Sequence, residues 1–237
     1  MLTTVLCFLR GVVLSFQVCS GIHRSLGVHV SKVRSIVLDD LDTELLDMMV
    51  ALGNERVNAI WEANVPAATA AAEGSNAGAA GGAGTGGVSP PAPCKPHPSS
   101  PRESKEEFII AKYVKRRYLP VAILEAAKSG PPSEECYTDF FRAAAGEDLE
   151  VMLTHMLQGC VVDWRHPHDR HRTALHHAAR NDAVLACEFL IQNNASTQIE
   201  DDDHKTPLDE AKESESKRVC ARLQGCAKKA QPTPATH

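Results

Sequence analysis

The segment richest in reactive side chains runs from residue 19 to residue 39. It brings one thiol, Cys19, close in sequence to two imidazoles, His23 and His29, and to the cation Arg24. Thiolates and imidazoles are the ligands that zinc prefers. One thiol and two imidazoles on a single short segment lack a fourth ligand, however, and no Cys-x-x-Cys pair occurs in the chain. These residues alone therefore do not predict a closed zinc site.

Composition restricts the classes of function. The formal net charge is -5, which argues against a general nucleic-acid binder, because a sequence-independent grip on phosphates needs a cationic surface. The eight cysteines are scattered, which indicates a reducing, intracellular compartment. Aromatic residues make up only 5% of the chain, so small helical modules are expected rather than one large core. We find no Ser/His/Asp array, no phosphate loop and no paired carboxylates that would indicate an enzyme.

The apolar residues 1–18 have the look of a signal peptide, but they are interrupted by Arg10 and carry no positive charge ahead of the apolar run. We expect an atypical, non-targeting segment that is too short to span a membrane.

From Asp42 onward, apolar residues recur at helical spacing up to Gly53, and a second short helix follows. Met48, Met49 and Trp61 are expected in the core of this helical hairpin.

Residues 67–101 are nearly all Ala, Gly, Ser, Thr and Pro, and we expect this linker to be disordered. The capping-box pattern from Ser104 to Glu107 then predicts a helix from about Lys105 to Leu119. A basic cluster closes that helix, and we interpret it as a solvated face, with a patch for a membrane or an acidic partner as the alternative. Its members are Lys112, Lys115, Arg116 and Arg117.

The second half of the chain repeats with a period of 33 residues. Thr173-Ala-Leu-His-His-Ala178 and Thr206-Pro-Leu-Asp-Glu-Ala211 match position by position, and this pattern is the ankyrin signature of two antiparallel helices after a tight turn. Asn194 takes the left-handed turn position that glycine usually fills. A weaker copy around Phe140 comes first, with an insertion near His166-Pro167-His168, and the last copy is expected to have a shortened second helix. His166, His168 and His171 could bind a metal adventitiously, whereas His176 and His177 are expected to pack within a repeat.

The first half resembles the Arf GTPase-activating (ArfGAP) family. The residues that carry the resemblance are Cys19-Ser-Gly-Ile-His-Arg24, then Gly27, Ser31 and Ser35, then Gly53-Asn54 with Asn58 and Trp61-Glu62. It covers about residues 19–66 and again 95–119. The sequence Ser-Leu-Gly-Val-His and the ankyrin repeats downstream are most similar to the ACAP (centaurin-beta) subgroup.

The resemblance implies that Arg24 is the arginine finger, which brings a guanidinium to the charge that develops on the transferred phosphoryl group. It also implies that Cys19 is the last of four zinc ligands. The third position is Phe16, Cys7 is too far from Cys19, and the chain begins too late to hold the first pair. We therefore expect zinc, although typical of the family, not to be stably bound. Asp39, in the strand-like run from Ser35, is interpreted as structural, and His23 and His29 are weak candidates for substitute ligands.

The predicted fold is mainly α: a partial ArfGAP zinc-finger-type domain with a small sheet and helices, followed by a short ankyrin α-solenoid. We divide the chain into residues 1–18, a truncated ArfGAP domain at 19–66, the linker at 67–101, a closing helix at 102–120, about three ankyrin repeats at 121–227, and a tail at 228–237. The expected function is activation of an Arf-family small GTPase, so the chain would not itself be an enzyme. It would be cytoplasmic, peripheral to endosomal membranes, and would contact membranes only indirectly. The alternative is a non-catalytic ankyrin scaffold in which residues 122–227 fold alone and bind an unknown protein partner.

Overall fold

The computed structural model describes residues 5–8, 12–15, 17–35, 38–66 and 95–230. Phe16, most of the predicted disordered linker (residues 67–94) and the end of the predicted tail (residues 231–237) lie outside the described residues. Description resumes at Lys95, inside the predicted linker, where the Nζ atom donates a hydrogen bond of 2.7 Å to Glu62 Oε2. Residues 95–101 therefore depart from the expectation of disorder.

The apolar N-terminal residues contribute to a three-stranded antiparallel sheet of order β2-β1-β3. Strand β1 (Val5–Phe8) pairs with β2 (Val12–Ser15) on one side and with β3 (Lys32–Ser35) on the other. The strands contain several β-branched residues, which fit a pleated sheet well. Of the expected extended run from Ser35 to Asp39, Ser35 belongs to β3 and residues 36 and 37 lie outside the described residues. The carboxylate of Asp39 accepts a 2.7 Å hydrogen bond from the Ser35 amide, in keeping with a structural role.

Helix α1 (Gln17–Ser25) lies between β2 and β3, and the predicted helical hairpin follows as α2 (Thr43–Leu52) and α3 (Asn54–Trp61). Gly53 joins α2 to α3 with φ of +60°, a conformation that glycine adopts without steric cost. Met48 and Trp61 are buried as predicted, and Met49 packs at the edge of the core. The hairpin prediction is thus confirmed.

The closing helix differs from the sequence prediction at both ends. Helix α4 (Arg102–Ile109) begins after Pro101, so Ser104 lies inside the helix instead of capping it. Proline fixes φ and lacks an amide hydrogen, which suits the residue before a helix. The chain continues as a π-helical turn (Ile110–Val114) and leaves the helix at Arg116, where φ is +51°. The predicted continuation to Leu119 was wrong.

The second half of the chain forms three helix pairs preceded by helix α5 (Val121–Lys128). The pairs are α6 (Glu134–Ala145) with α7 (Leu149–Gln158), α8 (Ala174–Arg180) with α9 (Val184–Gln192), and α10 (Pro207–Glu213) with α11 (Lys217–Ala230). Asn194 has φ of +66°, as predicted from its place in the repeat. The expected shortened last helix was wrong, because α11 has 14 residues.

One hydrophobic core joins the two halves. It extends from Ile22 in α1 and Leu45 in α2 to Phe140 in α6, Leu190 in α9 and Leu223 in α11, and all five side chains are essentially inaccessible to solvent. Two polar links reinforce the junction: Lys32 Nζ donates to Gln192 O at 2.8 Å and to Asn194 Oδ1 at 2.7 Å. The ankyrin helices therefore support the elements that carry the reactive segment. None of the described helices is long and apolar enough to cross a bilayer.

Candidate functional site

Helix α1 positions the reactive segment by burying one side and exposing the other. Ile22 is fully buried and His23 is 3% exposed, whereas Arg24 and Ser25 face solvent in the last turn. The guanidinium of Arg24 makes no ion pair or hydrogen bond with the other described residues. A cationic side chain on a helix anchored by its neighbours is available to an external anionic group.

His23 is a structural residue and not an available ligand. Its Nδ1 atom lies 3.4 Å from Ser31 Oγ, and its ring centroid is 5.4 Å from that of Tyr113. Burial, and secondarily the nearby charge of Lys112, lower the pKa of His23 to about 4. The imidazole is therefore neutral at physiological pH. His29 is exposed, and its ring lies over Gly27, where an added Cβ would come within 2.7 Å of His29 Cε1.

This buried histidine predicts a pH-dependent stability. The pKa of His23 in the folded chain is below the ordinary value of 6.5. Between about pH 6.5 and pH 4 the unfolded chain therefore binds a proton at His23 that the folded chain does not bind, and the free energy of unfolding falls as the pH drops through this range. The contribution of His23 to that loss is about 3 kcal/mol. We expect His23→Asn, which offers a nitrogen near the position of Nδ1, to show a shallower acid loss of unfolding free energy in urea titrations.

The matched control is His204→Asn, because the His204 side chain is 88% exposed. Its acid dependence should equal that of the wild type. Identical pH slopes for His23→Asn and the wild type would contradict the assignment.

A buried ion pair holds the closing helix against α3. Lys112 Nζ donates to Glu62 Oε1 at 2.7 Å and to Asn58 Oδ1 at 2.6 Å, and Lys112 is 3% exposed. Burial lowers the pKa of Lys112 to about 8, although Glu62 opposes that change. Burial raises the pKa of Glu62, but the charges of Lys112 and Lys95 outweigh it and hold the pKa below its usual value. The interpretation of Lys112 as part of a solvated basic face was therefore wrong, since the buried pair fixes this helix where Tyr113 packs against His23.

Among the residues that the structure describes, those around Cys19 do not form a zinc site. Cys19 is half-buried in α1, and among the described residues it belongs to no group of three or more potential metal ligands. The ring nitrogen of His23 that has a polar neighbour faces Ser31, and His29 is held over Gly27. This geometry does not support His23 or His29 as replacements for the missing zinc ligands. No step of the proposed chemistry is assigned to zinc.

Three further histidines, His166, His171 and His176, contact other residues of the repeats. His176 is fully buried and completes a capping box with Thr173, while its Nε2 atom lies 3.1 Å from Lys205 O. His171 Nδ1 lies 2.8 Å from Asp202, and His166 packs its ring 5.5 Å from that of Trp164. The expected packing role of His176 is confirmed. In the described parts of the chain, the insertion histidines do not assemble into a metal-binding group.

A different cluster, not predicted from the sequence, is formed by Cys136, His155 and Cys160 in the first helix pair. Their spacing matches no short motif, so the signal emerges only when α6 and α7 are folded against each other. A cleft of about 340 Å³ runs beside this cluster, between the ankyrin helices and the segment after α1. Residues that line it include His29, Lys32, Cys160, Phe189 and Asn194.

Comparison with protein families assigns both halves. Residues 6–80 match the family described as a putative GTPase activating protein for Arf, and residues 140–233 match ankyrin repeats in three copies. The chain therefore combines an ArfGAP domain with ankyrin repeats. The ArfGAP match includes apolar residues that were expected to lie outside the domain, in the atypical segment 1–18.

Its homologues are Arf-GAPs that carry ANK repeats and PH domains. The chain is 28% identical over a 270-residue alignment to the chicken (Gallus gallus) Arf-GAP with coiled-coil, ANK repeat and PH domain-containing protein 2, covering 81% of this chain and 32% of the relative. It is 42% identical over 121 residues to the human (Homo sapiens) Arf-GAP with coiled-coil, ANK repeat and PH domain-containing protein 3, covering 51% of this chain and 12% of the relative. The chain thus spans at most about a third of the length of these relatives.

Proposed function

We propose that this chain stimulates GTP hydrolysis on an Arf-family small GTPase and that Arg24 is the residue that acts on the bound nucleotide. The ArfGAP match supports this proposal, as does the exposed guanidinium of Arg24, which has no ion-pair partner in the described part of the chain. The GTPase would supply the attacking water and the phosphate-binding loop. The chain itself would be an activator and not an enzyme in its own right.

Charge stabilisation is the contribution of Arg24. During phosphoryl transfer, negative charge spreads over the oxygens of the transferred group, and a guanidinium donates up to two parallel hydrogen bonds to such oxygens. An arginine supplied by an activating protein typically accelerates hydrolysis by about 10³- to 10⁵-fold. The helix that carries Arg24 must already be ordered when the partners meet, because ordering it would cost free energy.

The shared core holds this helix without the help of a closed zinc site. The buried side chains of Ile22 and His23 anchor α1, and the buried pair of Lys112 and Glu62 holds the closing helix beside it. A structural zinc would otherwise contribute on the order of 10 kcal/mol to a small finger. We infer that hydrophobic burial against the ankyrin helices carries part of that role here.

The test is single-turnover hydrolysis of GTP preloaded on a purified Arf protein, with and without the chain. We expect hydrolysis to accelerate with increasing chain concentration and the acceleration to survive a zinc chelator. An unchanged rate at saturating chain would sink the activator proposal.

The second candidate function is protein binding through the ankyrin repeats. This function is favoured because the ankyrin region has three complete helix pairs, whereas in the finger segment Cys19 belongs to no group of metal ligands among the described residues. In this case the chain would bind Arf, or another protein, without accelerating hydrolysis. Binding of Arf in a pull-down together with an unchanged hydrolysis rate would identify this function. Cytoplasmic placement peripheral to endosomal membranes stays a proposal that localisation of the tagged chain would test.

A further inference from the structure

We propose that Cys136, His155 and Cys160 form a zinc-binding site in the first ankyrin repeat, separate from the ArfGAP finger. The three ligand atoms lie within 4.8 Å of one another. Cys136 Sγ is 3.2 Å from Cys160 Sγ and 3.1 Å from His155 Nδ1. Two sulfurs and an imidazole nitrogen are ligands typical of zinc.

Three different structural elements fix the ligands. Cys136 lies in the first turn of α6, where its amide donates to the capping Ser133 Oγ at 3.3 Å. His155 lies in the last turn of α7. Cys160 follows Gly159, whose φ of +116° reverses the chain, so that the Cys160 amide donates to His155 O at 3.0 Å. The site is therefore built by the helix pair and its turn.

A further contact ties the turn to α6. The amide of Val161 donates to Tyr137 Oη at 3.3 Å, next to Cys136 in sequence and directly after Cys160. The backbone on both sides of the cluster is thereby held, which limits the reorganisation that a metal would require. Preorganisation of this kind lowers the free-energy cost of binding.

The spacing of the ligand atoms suits a small tetrahedral ion. Bonds of about 2.3 Å to sulfur and about 2.0 Å to nitrogen place tetrahedral ligand atoms about 3.5–3.8 Å apart. The observed separations of 3.1 and 3.2 Å are shorter, so the side chains must spread by a few tenths of an ångström to admit zinc. Gln158 Oε1, 3.7 Å from Cys136 Sγ, can serve as the fourth ligand, and a water molecule can do the same.

Charge balance favours a divalent cation here. Cys160 is 6% exposed, so an uncompensated thiolate at this position would be costly. Zinc displaces one proton from each thiol, and the two protons pass to solvent, which leaves a site with two thiolates and one Zn²⁺ and hence no net charge. A neutral assembly is tolerated at a largely buried position.

The test measures zinc on the full chain purified under reducing conditions, stripped with a chelator and titrated with ZnCl₂ against a chromophoric competitor. We expect one equivalent of tightly bound zinc in the wild type and in Cys19→Ser. The variant C136S/C160S should lose this equivalent, and Cys220→Ser, which replaces a half-buried cysteine of α11, should keep it. Cobalt bound in place of zinc should give the charge-transfer absorption of thiolate ligation in the wild type, and C136S/C160S should lack this absorption.

Four results would overturn the proposal. The first is an absence of stoichiometric zinc in the wild type, the second is zinc retained by C136S/C160S, and the third is zinc lost in Cys19→Ser, which would place the metal at the finger. The fourth is a wild-type mass lower by two hydrogens, from a Cys136–Cys160 disulfide that persists in reductant. If C136S/C160S fails to fold, His155→Asn provides the same comparison, with an expected loss of at least tenfold in zinc affinity. The Arf hydrolysis assay is independent of all these outcomes.

Discussion

Arg24→Ala is expected to abolish the stimulation of GTP hydrolysis on Arf while leaving the chain folded. The side chain is exposed and makes no hydrogen bond or ion pair with the other described residues, so truncation removes the guanidinium and little else. Since such an arginine acts on the charge of the transition state, we expect a loss of about a thousandfold or more in the stimulated rate. Single-turnover hydrolysis at saturating chain measures it.

Two variants separate the chemical role from a general charge effect. Arg24→Lys keeps the positive charge but not the planar pair of donors, and we expect it to recover only a small part of the stimulation. Arg218→Ala removes an exposed arginine from α11 and should match the wild type. Equal rates for Arg24→Ala and wild type would exclude Arg24 as the finger. Binding of Arf measured in parallel should change much less than the rate.

Glu62→Gln is expected to destabilise the fold by about 3 kcal/mol at pH 7, because breaking a buried ion pair leaves an uncompensated charge. Lys112 is 3% exposed, and its Nζ atom would face a neutral amide at position 62 in place of the carboxylate, with Asn58 Oδ1 still accepting from it. The penalty should shrink at pH 9, where a lysine with a pKa of about 8 is mostly neutral even in the wild type. Urea unfolding at the two pH values measures the difference.

The matched control is Glu103→Gln, on the exposed side of α4, which we expect to change stability by less than about 0.5 kcal/mol. The double variant E62Q/K112M should recover much of the lost stability, because it removes the buried charge as well as its partner. An effect of Glu62→Gln at pH 7 no larger than that of the control would show that the pair does not stabilise the fold.

Local rules predicted the elements whose residues interact mainly with their sequence neighbours. The 33-residue spacing of Thr173 and Thr206 located α8 and α10, because each threonine begins a helix. Asn194 and Gly53 marked positive φ angles correctly. The resemblance to ArfGAP sequences likewise singled out Cys19 and Arg24 from their residue types and order alone.

The errors arose where distant residues decide the outcome. The error at Ser104 is the exception, because Pro101, only three residues before it, takes the capping position and the helix begins at Arg102. Lys112 belongs to a basic run, yet Glu62, which is 50 residues away, draws it into the interior. The cluster of Cys136, His155 and Cys160 is likewise visible only after α6 and α7 have packed. Tertiary pairing of this kind leaves no periodic signal in a single sequence.

The continuous core between the two halves has a consequence for how the chain unfolds. Leu45 and Met48 of α2 lie in the same cluster as Phe189 and Leu190 of α9, so separating the halves would expose this apolar surface on both sides. The free-energy cost of that exposure couples the melting of one half to the melting of the other. Amides in α2 and α9 should therefore exchange with solvent deuterium at similar rates, through the same global opening. Residues 122–227 expressed alone should be less stable than the same helices within the full chain.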